Sequence, residues 1–220
     1  MALTYQDIRT NPEIRTYITQ ADASLRALGY TEHAFAHVTK CAETAATLLR
    51  DLGYGPREME LARIAGFMHD IGNVINRHDH AISGATMAFR ILDKMGMPPQ
   101  EVAAVITAIG HHDDSTAFPV NALAAALILA DKTDVRRSRV RNKDAATFDI
   151  HDRVNYAVEQ STVALDLEAK TFTLTLTINT QVCAVMDYFE IFLQRMILCR
   201  KAASYLGLTF KLVINGSTLI

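Results

Sequence analysis

The sequence predicts a mainly α protein that ends in a small α+β (β-β-α-β) extension. Three observations predict it. Between Pro12 and Leu129, apolar residues recur at three- and four-residue spacing in segments punctuated by glycine and proline. From Thr171 to Ile178 the period drops to strict alternation, a strand pattern. Half of the 220 residues are hydrophobic, enough for a sizeable core in one domain with a small appendage. The expected division is residues 1–160 for the helical part and 161–220 for the extension.

Each element follows from a local signal. Asn11-Pro12 reads as an N-cap with proline at the first helical position, and Ile14, Ile18, Ala21, Leu25 and Leu28 continue the helix to Gly29. A second helix is expected from near Thr31, because Phe35, Val38, Cys41, Ala45, Leu48 and Leu52 form one stripe ending at Gly53. Pro56 opens a third, whose Met59, Ala62, Ala65, Gly66 and His69 share a face. A polar loop from Asn73 to Asp79 follows, then a helix from Ile82 to Met95 closed by Gly96. Pro98-Pro99-Gln100-Glu101 starts another, which runs to Ile109 and Gly110. Phe118-Pro119 is a connector, and Leu123 to Leu129 is apolar all round, as in a helix enclosed on every side. In the extension, Val163–Leu167 and Thr171–Ile178 flank a turn at Glu168-Ala169-Lys170. A helix from Val182 to Leu206 and a strand from Thr209 to Ile214 complete it. This appendage either covers the helical core or makes a dimer interface, so a homodimer is one expected assembly.

Composition excludes several function classes. With 24 acidic and 22 basic side chains there is no global basic bias towards nucleic acid or an anionic membrane. Cys41, Cys183 and Cys199 make no C-x-x-C pair, so they are expected as reduced, packed thiols. No signal-peptide pattern and no apolar stretch of bilayer length is evident, and a cytoplasmic location is expected.

The chemistry is concentrated around Gly66-Phe67-Met68-His69-Asp70-Ile71-Gly72. A buried carboxylate beside an imidazole is costly unless a cation compensates it. An isolated His-Asp pair is ordinarily a solvated one, but further candidate ligands surround this one: His37 upstream, His78 and His80 downstream, adjacent His111 and His112, and Asp131 after the aliphatic run. Together these supply nitrogen and oxygen ligands for two divalent ions. Neighbours on an intact helix point about 100° apart, so His111 and His112 face one site only if the helix frays at Gly110. The alternative for Asp131 is pairing with Lys132 at a helix end. His33 competes with His37, and His78 with His80. A second pair, His151-Asp152, has no further ligands after it and is expected to be structural, with Asp152 as an N-cap. The basic run from Asp134 to Arg141 is a solvated face or a phosphate-binding rim.

This order of residues resembles the HD-domain metal-dependent phosphohydrolases over roughly Glu32 to Arg141, about half the chain. The 32-residue step from His37 to His69, the segment His80-Ala81-Ile82-Ser83-Gly84, and the placing of His111-His112 and Asp131 carry the resemblance. It is closest in pattern to the metal-rich branch that includes the HD-GYP phosphodiesterases. The expected fold is therefore an HD-domain helical bundle with the extension appended. The resemblance implies that Asp70 bridges two ions, His37, His69 and Asp131 completing the first and His80, His111 and His112 the second, with Asp70 and His69 as the catalytic pair. The ions would be manganese, iron, cobalt, magnesium, nickel or zinc. Arg77, Lys132, Arg136 and Arg137 are the candidates for binding substrate phosphate.

Two departures limit the resemblance. Asn73 stands where the HD-GYP branch has a lysine, and His111-His112-Asp113-Asp114 runs into Ser115-Thr116-Ala117-Phe118-Pro119 without a Gly-Tyr-Pro signature. Cyclic-dinucleotide specificity is therefore not expected. The expected function is hydrolysis of a phosphomonoester or phosphodiester, with a nucleotide as the foremost substrate. The alternatives are a mixed-valent di-iron oxygenase and a nucleotide-binding regulatory module without turnover.

Overall fold

The computed structural model describes residues 2–113 and 117–220. Asp114, Ser115 and Thr116, part of the stretch that departs from the Gly-Tyr-Pro signature, lie outside the described residues. The helical part comprises α1 (Tyr5–Thr10), α2 (Pro12–Ala27), α3 (Phe35–Asp51), α4 (Pro56–Met68), α5 (His80–Lys94), α6 (Pro99–Gly110), α7 (Ala122–Lys132) and α8 (Ile150–Ala157). The extension comprises β1 (Val158–Asp166), β2 (Thr171–Ile178), α9 (Val185–Tyr205), β3 (Thr209–Ile214) and β4 (Ser217–Thr218). A mainly α protein with a small terminal sheet is what the periodicities predict.

α7 is the centre of the helical part. Its residues from Leu123 to Ala130 are all buried, and α3, α4, α6 and α9 pack around it. Each fully buried leucine or isoleucine there contributes about 1.5–3 kcal/mol of apolar burial. α3 and α4 approach closely because Gly66 has no side chain: a Cβ there would lie 2.7 Å from the backbone of Ala42. The same device joins the turn after α4 to α5. A Cβ on Gly72 would sit 2.0 Å from the His80 carbonyl oxygen, and Gly84 backs onto Gly72 and the His69 carbonyl. Thus the two glycines hold His69-Asp70 against the helix that carries His80.

The sheet has the order β1-β2-β3-β4. β1 and β2 form an antiparallel hairpin, β2 and β3 are parallel across α9, and β3 and β4 are antiparallel. Phe172, Leu174 and Leu176 on β2 pair with Phe210, Leu212 and Ile214 on β3, and all six are buried. α9 touches both β3 and α7, so the extension covers the helical core.

The expected boundary at residue 160 falls inside β1, which runs directly on from α8. α1 is a helix the periodicity does not predict. It is only six residues long and is held by a Thr4/Asp7 capping box. Asp149, not Asp152, is the N-cap of α8, its side chain accepting from the Asp152 amide. Among the described residues no helix is long and apolar enough to cross a membrane.

Candidate metal centre

Four histidines converge on one point because each has one ring nitrogen already committed. His37 Nδ1 lies 2.8 Å from Asp134 Oδ2, His69 Nδ1 2.7 Å from the Gly66 carbonyl, His112 Nδ1 2.6 Å from the Ile109 carbonyl, and His80 Nδ1 3.0 Å from the Arg77 carbonyl. A carbonyl or carboxylate oxygen only accepts, so in each ring Nδ1 carries a proton and Nε2 is the nitrogen left to face the centre. All four side chains are buried. This is the arrangement by which metal-binding imidazoles are oriented and their tautomer fixed.

These Nε2 atoms meet carboxylates. His37 Nε2 is 3.3 Å from Asp131 Oδ1 and 3.6 Å from Asp70 Oδ2, while His69 Nε2 is 3.3 Å from Asp70 Oδ2. On the other side, His80 Nε2 is 3.5 Å from Asp70 Oδ1 and 3.2 Å from His112 Nε2. Asp70 therefore turns one oxygen to each group. His69 Nε2 and Asp70 Oδ2 are buried without a hydrogen-bond partner. Two imidazole lone pairs facing each other at 3.2 Å also repel unless a cation lies between them. Donors about 2.1 Å from an ion sit about 3.0–3.5 Å from one another, so these separations suit divalent ions. The residues present could therefore hold divalent metal.

The electrostatics agree. Burial disfavours ionisation of Asp70, but His69 and its other neighbours outweigh this and hold its carboxyl well below the usual range. Asp131 is held low likewise, chiefly by Lys132. His112 is pushed down to about 3 by burial and by His69, His80 and Lys132, and burial lowers His80 despite Asp70. Both rings are therefore neutral and able to donate a lone pair. His69 is raised, since Asp70 and Asp131 overcome the effect of its burial.

The remaining predicted residues divide. His80 is buried, whereas His78 is exposed and pairs with Asp79, so the structure brings His80 and not His78 to the centre. His111 is not brought in. α6 stays helical through Gly110, and the rotation per residue directs His111 to a separate groove between α5 and α6, lined by Ile82, Phe89 and Ile106. Asp113 lies beside His80 and His112 instead, its Oδ2 3.9 Å from His80 Nδ1 and its Oδ1 3.4 Å from Lys132 Nζ. Lys132 holds Asp113 down to about 2 despite burial. Lys132 also lies 3.0 Å from Asp131 Oδ2, so Asp131 pairs with the lysine through one oxygen and faces His37 through the other.

A cavity of about 270 Å³ opens on this cluster, and both Arg77 and Lys132 line it. Arg77 Nη1 is 3.3 Å from His80 Nε2 and 3.3 Å from Asn73 Oδ1. Arg136 and Arg137 do not reach the cavity. Arg136 is bound by Asp134 and Glu32, and Arg137 donates to the Tyr156 carbonyl and stacks on that ring. The basic run is thus largely structural, with Arg139 its one member lining the cavity among the described residues.

Sequence reasoning missed several contributors. Asn73, noted only as a departure, donates to Asp70 Oδ1 at 2.8 Å and fixes that carboxylate. Asp134 fixes His37. His33 lines the cavity, as do His151 and Asp152, although that pair was expected to be purely structural. Cys41 Sγ lies 3.7 Å from both ring nitrogens of His37. Its sulfur also lies within 4.8 Å of ligand atoms of His69 and Asp131, so Cys41 is a further candidate ligand of that group.

A family model described as the HD domain matches residues 34–190 of this chain. An uncharacterized protein of Methanocaldococcus jannaschii is 23% identical over 179 residues, which cover 71% of this chain and 69% of that protein.

Proposed function

The chain belongs to the HD-domain family of metal-dependent hydrolases, and from that premise we propose that it hydrolyses a phosphomonoester or phosphodiester, with a nucleotide as one candidate substrate, using two divalent ions. One ion would be held by His37, His69, Asp70 and Asp131, the other by Asp70, His80, His112 and Asp113. The observation that carries this reading is the convergence of four Nε2 atoms on the Asp70 and Asp131 carboxylates, with Asp70 Oδ2 orphaned and Asp70, Asp131, His80 and His112 lining the cavity.

When bound, such ions supply Lewis acidity and lower the pKa of water. The chain supplies orientation and charge. Asp70, held by Asn73, keeps a fixed carboxylate between the two ligand groups. Lys132 and Arg77 bring cations to the cavity, where they neutralise phosphoryl oxygens as charge develops on them. Burial of the histidines keeps bulk water away from the reacting centre.

The test is elemental analysis of protein purified without added metal, followed by phosphate release across nucleoside phosphomonoesters and phosphodiesters. Two ions per chain with phosphate release abolished by a chelator is the expected result. Two irons with a mixed-valent signal and oxygen consumption, without phosphate release, would overturn it in favour of an oxygenase. Metal-loaded protein that binds a nucleotide and releases nothing would leave a regulatory module.

A further inference from the structure

The cavity has a wall that the metal centre does not use. α8 contributes His151, Asp152 and Asn155 to it, and α9 contributes Phe192 and Arg195. Asp152 and Asn155 are only 7% and 6% exposed, and both line the cavity.

Their hydrogen bonds leave acceptors over. The Asn155 amide donates one of its two Nδ2 hydrogens to the His151 carbonyl at 2.9 Å, which leaves Oδ1 as an acceptor beside a second N–H. Asp152 Oδ2 has Asn142 Nδ2 at 3.4 Å, a long contact for a buried carboxylate. Burial raises the pKa of Asp152, as expected of a carboxylate short of donors. Asp149, on the same wall, already accepts from the Asp152 amide. The cavity thus has Arg77, Lys132 and candidate metal ligands on one wall, and on the other the Asp149 and Asp152 carboxylates and the Asn155 amide, with His151 and Arg195 beside them. Its volume, about 270 Å³, lies just below the range of about 300–1,000 Å³ usual for drug-sized ligands, which favours a small substrate.

We propose that Asp152 and Asn155 form a donor-binding subsite, so that the substrate is a small phosphomonoester carrying hydroxyl or ammonium groups away from its phosphate. This rests on the hydrolase reading for the phosphate end alone.

Calorimetric binding to the metal-loaded protein tests it with three probes of similar size: glycerol 1-phosphate, ethanolamine phosphate and propyl phosphate. The expected result is that one or both donor-bearing probes bind about tenfold or more tightly than propyl phosphate, glycerol phosphate leading if the donor is a hydroxyl and ethanolamine phosphate if it is an ammonium. Asp152→Ala should bring that ratio to near parity, and Asp152→Asn should reduce it more for the ammonium than for the hydroxyl probe. Equal affinity for all three in the unaltered protein overturns the proposal, as does a preference that survives Asp152→Ala. If Asp152→Ala does not fold, Asn155→Ala, expected to lower the ratio severalfold, decides in its place. Phosphate release is followed in parallel. A donor preference without release would sink hydrolysis and leave the subsite standing, whereas equal release from all three probes would do the reverse.

Discussion

At the scale of single residues the centre depends on groups that touch no substrate. Asp134 receives His37 Nδ1, Lys40, Arg136 and Arg139, and this ring of donors keeps it ionised well below the usual carboxylate range although it is buried. An anion on Nδ1 fixes the tautomer of His37 and raises the basicity of Nε2. Asp134→Asn should therefore weaken metal binding about 10–100-fold while the fold persists, which a competition titration against a metallochromic chelator would measure. Unchanged affinity would mean that Asp134 only anchors its arginines. In the sequence Asp134 is merely the first residue of a basic run; its partner lies 97 residues away, and no local pattern records such a pairing. Gly72 is a second case. A methyl group at 2.0 Å from the His80 carbonyl cannot be accommodated by rotating a side chain, so Gly72→Ala should cost about 3 kcal/mol or more in overpacking and backbone displacement. Chemical denaturation would read this as a lowered midpoint. A variant as stable as the parent would show that the α5 backbone yields there freely.

At the scale of elements the decisive feature is where α6 stops. The paired histidines each satisfy the residue-type requirement, and only helix register separates them. α6 remains regular through Gly110, so His112 turns inward, with its Nδ1 on the Ile109 carbonyl, while His111 lines the groove beside α5. The expected outcome is that His111→Ala retains two ions per chain, whereas His112→Ala and Asp113→Ala each drop to about one, as elemental analysis of dialysed protein would reveal. Loss of an ion from His111→Ala would restore the frayed-helix arrangement. This is also where legibility ends. The helices from α2 to α7 were readable because each buries a stripe whose period the sequence repeats, and His37, His69, Asp70, His80, His112 and Asp131, which the structure brings together, were legible as candidate ligands because a ligand must be a particular residue type. Asp113 was not, since a carboxylate after two histidines is equally a solvated one. The part played by His151-Asp152 was hidden because α8 meets the cavity only once the chain has folded back along α9.

At the scale of the whole molecule the question is whether the extension is a separate folding unit. Its buried residues, among them Leu174, Tyr188, Phe192 and Phe210, belong to one continuous hydrophobic cluster with those of α3, α4 and α7. α9 also supplies Phe192 to the cavity wall. Unfolding the extension would therefore expose the flank of α7 and open the site, so the two halves should lose structure together. Phe210, 1% exposed on β3, is the place to test this. Phe210→Ala removes a large core side chain at a cost of about 3–5 kcal/mol, and it lies in the sheet, away from the metal ligands. In a single cooperative unit, at fixed metal concentration, denaturant midpoints followed by far-ultraviolet circular dichroism and by metal release should fall together and by the same amount. If metal release kept its original midpoint while the sheet signal shifted, the helical part would be stable without its extension. The part of the cavity wall that α9 supplies, Phe192 and Arg195, would then rest on a docked unit, and α7 would need another cover for the face that α9 now occupies.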